Sequence, residues 1–200
     1  MVSKLKKNYR RYLFLIPLVL FIADYLLIVN GWMKIIDQFV FESLRFFASN
    51  QLTEIFKIIT NLGSFWGILI VIFLVFLVNR KVSFICLGAS IIQTSLNRVI
   101  KAIVRRPRPN VDVFIRESNF SFPSGHAMAI TCLYGLLIYY LYKSEIRYRK
   151  LLIVICVLII VLVSLSRVYL GVHYFSDIIG GILLSSSLVL YISDIPSCQA

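Results

Sequence analysis

Residues 151–166 read LLIVICVLIIVLVSLS, a run of 16 positions without Asp, Glu, Lys or Arg. A soluble helix of that length needs a polar outer face, and this one has almost none. A bilayer core about 30 Å thick instead requires about 20 apolar residues in helical form. Uncharged runs of the same kind cover 58–79, 82–97, 118–142 and 178–193, and Leu13–Val29 is interrupted by Asp24 alone. If each run borrows a polar turn at its end, the chain is all-α and polytopic. Six transmembrane helices are then expected at 12–30, 61–79, 82–104, 122–142, 151–169 and 173–193.

Composition points the same way. The 200 residues are 60% hydrophobic and 15% charged, against roughly 45–50% and about 25% in an ordinary soluble domain. No repeat, low-complexity tract or linker divides the chain, so residues 1–200 are expected to form a single membrane-embedded domain. Lys and Arg number 21 against 9 Asp and Glu, a net charge of +12. On so apolar a chain, that charge suits anionic lipid headgroups or phosphates, while the extent of apolar surface argues against a nucleic-acid partner. The cysteines at 86, 132, 156 and 198 lack metal-ligand spacing and imply no disulfide framework.

Short basic loops set the expected orientation. Lys4, Lys6, Lys7, Arg10 and Arg11 precede the first apolar run, and no small-residue cleavage site follows, so that span is expected to stay uncleaved. With six spans, this cluster, Arg80-Lys81 and the Lys143–Lys150 loop share one side. The positive-inside rule makes that side cytoplasmic, together with both termini. On the other side, Ile35, Ile36, Phe39, Val40, Leu44 and Phe47 recur at helical spacing. One or two amphipathic interfacial helices are expected there, between the first and second spans. Lys101, Arg105, Arg106, Arg108 and Arg116 also fall outside, against the charge trend, which marks them as functional candidates.

The chain has two histidines. His173 precedes Asp177 by four residues, which places the two on one helix face. A carboxylate there can take the proton of one imidazole nitrogen and leave the other free as a nucleophile; the same pair also occurs simply as a solvated helix end. His126 ends Pro123-Ser124-Gly125-His126, where Pro and Ser suit a helix start and its free N–H groups can receive an anion. Lys101, Arg108 and Arg167 supply cations able to hold phosphoryl oxygens. Arg98, Lys101, Arg105 and Arg108 also follow the 3-4-3 spacing of a voltage-sensor stripe. Pro107 and Pro109, however, end that helix before Arg108.

Together these residues form three blocks: Lys101, six residues, then Arg108-Pro109; Pro123-Ser124-Gly125-His126; and Ser166-Arg167, five residues, His173, three residues, Asp177. In this order and spacing the chain resembles the type 2 phosphatidic acid phosphatase superfamily, and specifically its small bacterial six-span branch. The resemblance implies a metal-independent lipid phosphatase without a cofactor, acting on undecaprenyl diphosphate or phosphatidylglycerol phosphate at the outer leaflet of the cell membrane. It further implies that His173 attacks phosphorus, Asp177 orients His173, and His126 serves as acid and then base. Lys101, Arg108, Ser124, Gly125 and Arg167 would cradle the phosphate.

Around the blocks, Arg105 and Arg106 are expected to contact headgroups in solvent, with a lipid phosphate or a distal phosphate as the alternative, and Arg116 to pair with Glu117. Tyr169 and Tyr174 read as interfacial anchors, while Asn97 and Arg98 either extend the site or bridge helices. The same cradle would serve a non-catalytic lipid-phosphate carrier, and the same motifs a phosphotransferase. The two histidines and the oriented carboxylate favour hydrolysis over carriage. Oligomeric state is not legible.

Overall fold

A computed structural model describes residues 11–115 and 117–198. The basic positions from Lys4 to Arg10, and Arg116, fall outside them. The described residues hold helices and no strand: α1 (Leu15–Val29), α2 (Lys34–Phe46), α3 (Asn50–Thr60), α4 (Phe65–Val78), α5 (Arg80–Val104), α6 (Gly125–Lys143), α7 (Arg149–Tyr169) and α8 (Phe175–Asp194). Short 3-10 turns occupy Asn61–Gly63 and Pro196–Cys198.

Helices α5 to α8 contain 25, 19, 21 and 20 residues, which makes each about 28–38 Å long and able to cross a bilayer. The first two expected spans are less regular. Helices α1 and α4 hold only 15 and 14 residues, about 21–23 Å. Each joins a neighbour across a bend, α1 to α2 at 93° and α3 to α4 at 58°. Among the described residues, four helices are therefore long and apolar enough to cross a bilayer, or up to six if each bent pair counts as one span.

Local chemistry explains the bends. Gly31, at φ 78°, turns the chain after α1 in the left-handed region where a Cβ would clash. Ser64 accepts from the Gly67 N–H at 3.2 Å, a cap that starts α4 afresh instead of prolonging α3. Ser49, Asn79 and Ser124 cap α3, α5 and α6 in the same way. As expected, α2 and α3 fill the amphipathic 31–60 segment.

The centre of the bundle is α6, which packs against α5, α7 and α8 and buries Ile130, Cys132, Leu133 and Leu136 completely. Outward faces are apolar as well: Phe73, Leu74 and Leu77 of α4 and Val154, Ile155 and Leu158 of α7 are exposed. A filled interior within an apolar exterior is the arrangement a lipid solvent favours, because tails solvate such a surface and polar backbone stays paired inside. Antiparallel alternation then collects the chemistry. Helices α5 and α7 end where α6 and α8 begin, so Lys101, Arg167, His126 and Asp177 gather at one end of the bundle. Helices α2 and α3 pack over that end, against α7.

Candidate active site

The loop between α7 and α8 carries His173, which is 2% exposed, and the first turn of α8 carries Asp177, which is fully buried. His173 Nδ1 lies 3.3 Å from Asp177 Oδ2. A carboxylate only accepts, so Nδ1 holds the proton and the neutral ring keeps its lone pair on Nε2. That Nε2 sits 3.3 Å from Nη1 of Arg108. Burial pushes the His173 pKa down to about 4, against the pull of the Asp177 carboxylate and with Arg167 and Arg108 adding to the descent. The imidazole is thus neutral at physiological pH, with its reactive nitrogen turned towards a guanidinium.

Asp177 is held from several directions. The Tyr174 N–H donates to Oδ2 at 2.9 Å, Ser121 Oγ donates to the same oxygen, and Arg106 Nη1 donates to Oδ1 at 2.6 Å. Its own carbonyl accepts from the Ser124 N–H at 3.0 Å, which ties α8 directly to the start of α6. Gly181 permits this approach: a Cβ there would lie 3.0 Å from the Ser124 carbonyl oxygen and 3.1 Å from the Ala127 Cβ.

At the start of α6, Ser124 Oγ accepts from the Ala127 N–H at 3.4 Å. The N–H groups of Gly125 and His126 have no acceptor among the described residues. His126 is half-buried, and its charge would be felt by Arg167, His173, Arg108 and Lys101. Gly63 closes on its flank, since a Cβ there would lie 3.1 Å from His126 Cδ2. Asn97 bridges helices here, donating to the Pro123 carbonyl at 3.0 Å.

The cations differ in their freedom. Arg167, 1% exposed, donates to Thr60 Oγ1 at 2.9 Å and to Glu117 Oε1 at 2.6 Å, while its buried Nε has no partner. A buried orphan donor calls for an acceptor, and a phosphate oxygen is of the right kind. Arg108 donates to the Asn119 carbonyl at 2.7 Å, to Asn119 Oδ1 at 2.5 Å and to the Val172 carbonyl at 2.5 Å. Its fork is thereby fixed beside His173. Lys101 points elsewhere: its ammonium binds the Phe120 and Ser121 carbonyls. Burial pushes the Glu117 pKa up, but the charge and hydrogen bond of Arg167, with Arg108 and His173, hold it below the usual carboxylate range.

Several neighbours depart from expectation. Arg106 is not solvated at a headgroup; it turns inward to Asp177, and its Nη2 donates to Asp37 Oδ2 at 2.8 Å. Asp37, 4% exposed, also accepts from the Ser176 N–H and Oγ, both at 2.8 Å. Glu117 pairs with Arg167 at 2.6 Å; the expected pair with Arg116 lies outside the described residues. Tyr169 is no interfacial anchor: it is fully buried, with its hydroxyl 2.8 Å from Thr53 Oγ1, because α3 folds over α7. Tyr174 lies under Arg106, whose guanidinium carbon is 4.0 Å from the ring centroid. One signal could have revealed Asp37. It sits four residues after Met33 and three and four before Val40 and Phe41, so it is an acid on the apolar stripe of α2.

Among the described residues no three His, Cys, Asp or Glu side chains converge to hold a metal ion. Comparison with known proteins completes the picture. The chain is 44% identical to phosphatidylglycerophosphatase B of Bacillus subtilis over 92 residues, a match spanning 44% of this chain and 45% of that protein. It is 27% identical to an undecaprenyl-diphosphatase of Sulfolobus acidocaldarius over 190 residues, 88% of each chain. The crystal structure of a transmembrane PAP2-type phosphatidylglycerolphosphate phosphatase from Bacillus subtilis superimposes with a TM-score of 0.81 at 29% identity, covering 92% of this chain and 94% of that one. Residues 81–197 match the PAP2 superfamily, a stretch that begins with α5 and contains all three sequence blocks and the site at their meeting point, and the chain belongs to that superfamily.

Proposed function

We propose that this protein is a lipid phosphatase of the cell membrane that removes a terminal phosphate from undecaprenyl diphosphate, phosphatidylglycerol phosphate or both. The observation that carries the reading is His173, neutral, with Nδ1 on Asp177 and Nε2 beside Arg108. In-line attack by Nε2 forms a nitrogen–phosphorus bond as the bond from phosphorus to the leaving oxygen breaks. His126 gives that oxygen its proton. The positive charge that develops on His173 is stabilised by Asp177. His126, now basic, takes a proton from water, and the resulting hydroxide displaces the histidine from phosphorus.

Arg108, Arg167 with its orphan Nε–H, and the free N–H groups of Gly125 and His126 hold the phosphoryl oxygens as charge shifts onto them. Lys101 and Ser124 complete the cradle, Lys101 through the 120–121 carbonyls that it fixes. No step calls for a metal, and the chain acts as one unit. The site faces outward, because Arg80-Lys81 and the Lys143–Lys150 loop lie at the opposite end of the helices from His173. Lipid tails then stay in the bilayer while the headgroup reaches His173.

The test is phosphate release by purified protein in EDTA from the two lipids. Turnover that His173→Ala abolishes is expected. Wild-type turnover by a folded His173→Ala protein would reject the proposed nucleophile.

A further inference from the structure

A cavity of about 580 Å³ lies between the α1–α2 bend and the segment 104–111. Its least exposed lining residue is His173, and Ile28, Val29 and Val104 line it towards the apolar surface of α1 and α5. His126 and Arg167 are not part of its wall. The cavity therefore leads away from the reacting centre, on the side where the rest of a substrate must leave.

The charges lining it fall into two groups. Asp37 and Arg106 bind each other and α8. The side chains of Lys34 and Arg105 do not take part: that of Lys34 has no hydrogen bond or ion pair among the described residues, only its backbone N–H donating to the Gly31 carbonyl at 3.3 Å, and that of Arg105 uses only its Nε, which donates to the Ala102 carbonyl of its own turn. Arg105 is also strained. It closes α5 in the left-handed conformation, φ 49° and ψ 34°, at a position that glycine usually takes because a Cβ clashes there. An arginine held at a steric cost, with its Nη groups free beside a cavity, suggests a function outside the fold itself.

Resting on the phosphatase reading above, we infer that Lys34 and Arg105 bind a second phosphate of the substrate, the one between the reacting phosphorus and the lipid tails. Such a phosphate is present both in a prenyl diphosphate, directly bonded to the reacting group, and in phosphatidylglycerol phosphate, across a glycerol. It is absent from phosphatidic acid. The two cations recognise the non-transferred phosphate, Ile28, Val29 and Val104 receive the first carbons of the tail, and the reacting phosphorus meets His173. Lys34 and Arg105 thus set substrate choice; in phosphatidylglycerol phosphate they act remote from the reacting bond, whereas in a prenyl diphosphate the phosphate they hold also carries the leaving oxygen.

The experiment measures phosphate release from phosphatidic acid, phosphatidylglycerol phosphate and undecaprenyl diphosphate in phosphatidylcholine vesicles, with wild type, Lys34→Ala and Arg105→Gly. Each substitution removes a charge-assisted contact, and kcat/KM on a two-phosphate lipid is expected to fall about tenfold, mainly through KM on phosphatidylglycerol phosphate and through kcat as well on the diphosphate, whose second phosphate departs with the leaving oxygen. Turnover of phosphatidic acid stays at the wild-type value. Arg105→Gly is the decisive variant, because glycine suits the left-handed backbone and the thermal midpoint holds or rises. Loss on one two-phosphate lipid alone supports the site and names which spacing of phosphates it fits. Unchanged kcat/KM on both, with phosphatidic acid still hydrolysed, overturns the second-phosphate site and leaves the phosphatase reading standing. Absence of release from every lipid by the folded wild type overturns both.

Discussion

Asp37→Asn is the most informative perturbation outside the sequence blocks. Asp37 Oδ1 accepts from the Ser176 N–H, and Oδ2 accepts from Ser176 Oγ and Arg106 Nη2, each at 2.8 Å. An asparagine keeps one oxygen. Whichever way its amide turns, the NH2 group meets a donor, either the Ser176 N–H or the Arg106 guanidinium. A buried unsatisfied donor costs about 1–3 kcal/mol, and losing a hydrogen bond to a charged partner costs about 1.5–3 kcal/mol. The sum, about 2.5–6 kcal/mol, brackets the usual cost, about 3–5 kcal/mol, of breaking a buried ion pair by removing one partner. Arg106 side-chain exposure is 13% and Asp37 exposure 3%, so little solvent screens the loss.

That cost is divided between stability and catalysis. Arg106 also fixes Asp177, which in turn sets the tautomer of His173, so a displaced guanidinium tilts the nucleophile. Geometric errors of about 1 Å cost about 100-fold in rate. Asp37→Asn is therefore expected to lower kcat about 10- to 100-fold with KM nearly unchanged, and to lower the denaturation midpoint of the detergent-solubilised protein. Single-turnover formation of phosphohistidine locates the defect in the first chemical step. Paired with Arg106→Gln, the losses should be far from additive, because both substitutions break one network. Wild-type kcat and an unchanged midpoint in Asp37→Asn would refute the claim that this chain of contacts positions His173.

Other consequences are more direct. His173 should titrate near 4, since burial disfavours its charged form. It then stays neutral, and competent as a nucleophile, as pH falls below 6.5. Imidazole NMR in the His126→Ala background reads this directly, and a midpoint near 6.5 would contradict the burial argument. His126→Ala should slow dephosphorylation about 10²- to 10⁴-fold, so acid-labile phosphoenzyme accumulates on reaction with an activated phosphate ester; rapid turnover without accumulation would remove His126 from the water step. Gly63→Ala places a methyl 2.9 Å from Val163 Cγ1 and 3.1 Å from His126 Cδ2. Overpacking of this kind costs about 1–3 kcal/mol, and displacement of His126 should depress kcat more than it depresses the thermal midpoint.

The long apolar runs and the i, i+4 relation of His173 to Asp177 could be read along the chain because both depend on local properties. Hydropathy over about 20 residues and the pitch of one helix settle them. The capping serines and Gly31 are local too, although the hydropathy runs alone concealed how short α1 and α4 are. Arg105 and Arg106 could not be told apart in this way. They are adjacent and identical in kind, yet one is left-handed and keeps its Nη groups unpaired while the other turns inward to two carboxylates.

What the amino-acid order determined by itself is a six-run membrane chain with three blocks whose residue types suit phosphoryl transfer. Only the tertiary structure decided how those residues are held. Asp37 reaches Ser176 across 139 positions of sequence, Arg167 reaches Thr60 across 107, and Lys101 is engaged by loop carbonyls and not by an open pocket. Hydropathy and helical pitch are properties of neighbours in the chain. The partner of a buried charge is chosen by which helices pack together, because a charge taken out of water must find its counter-group wherever the fold brings one within about 3 Å.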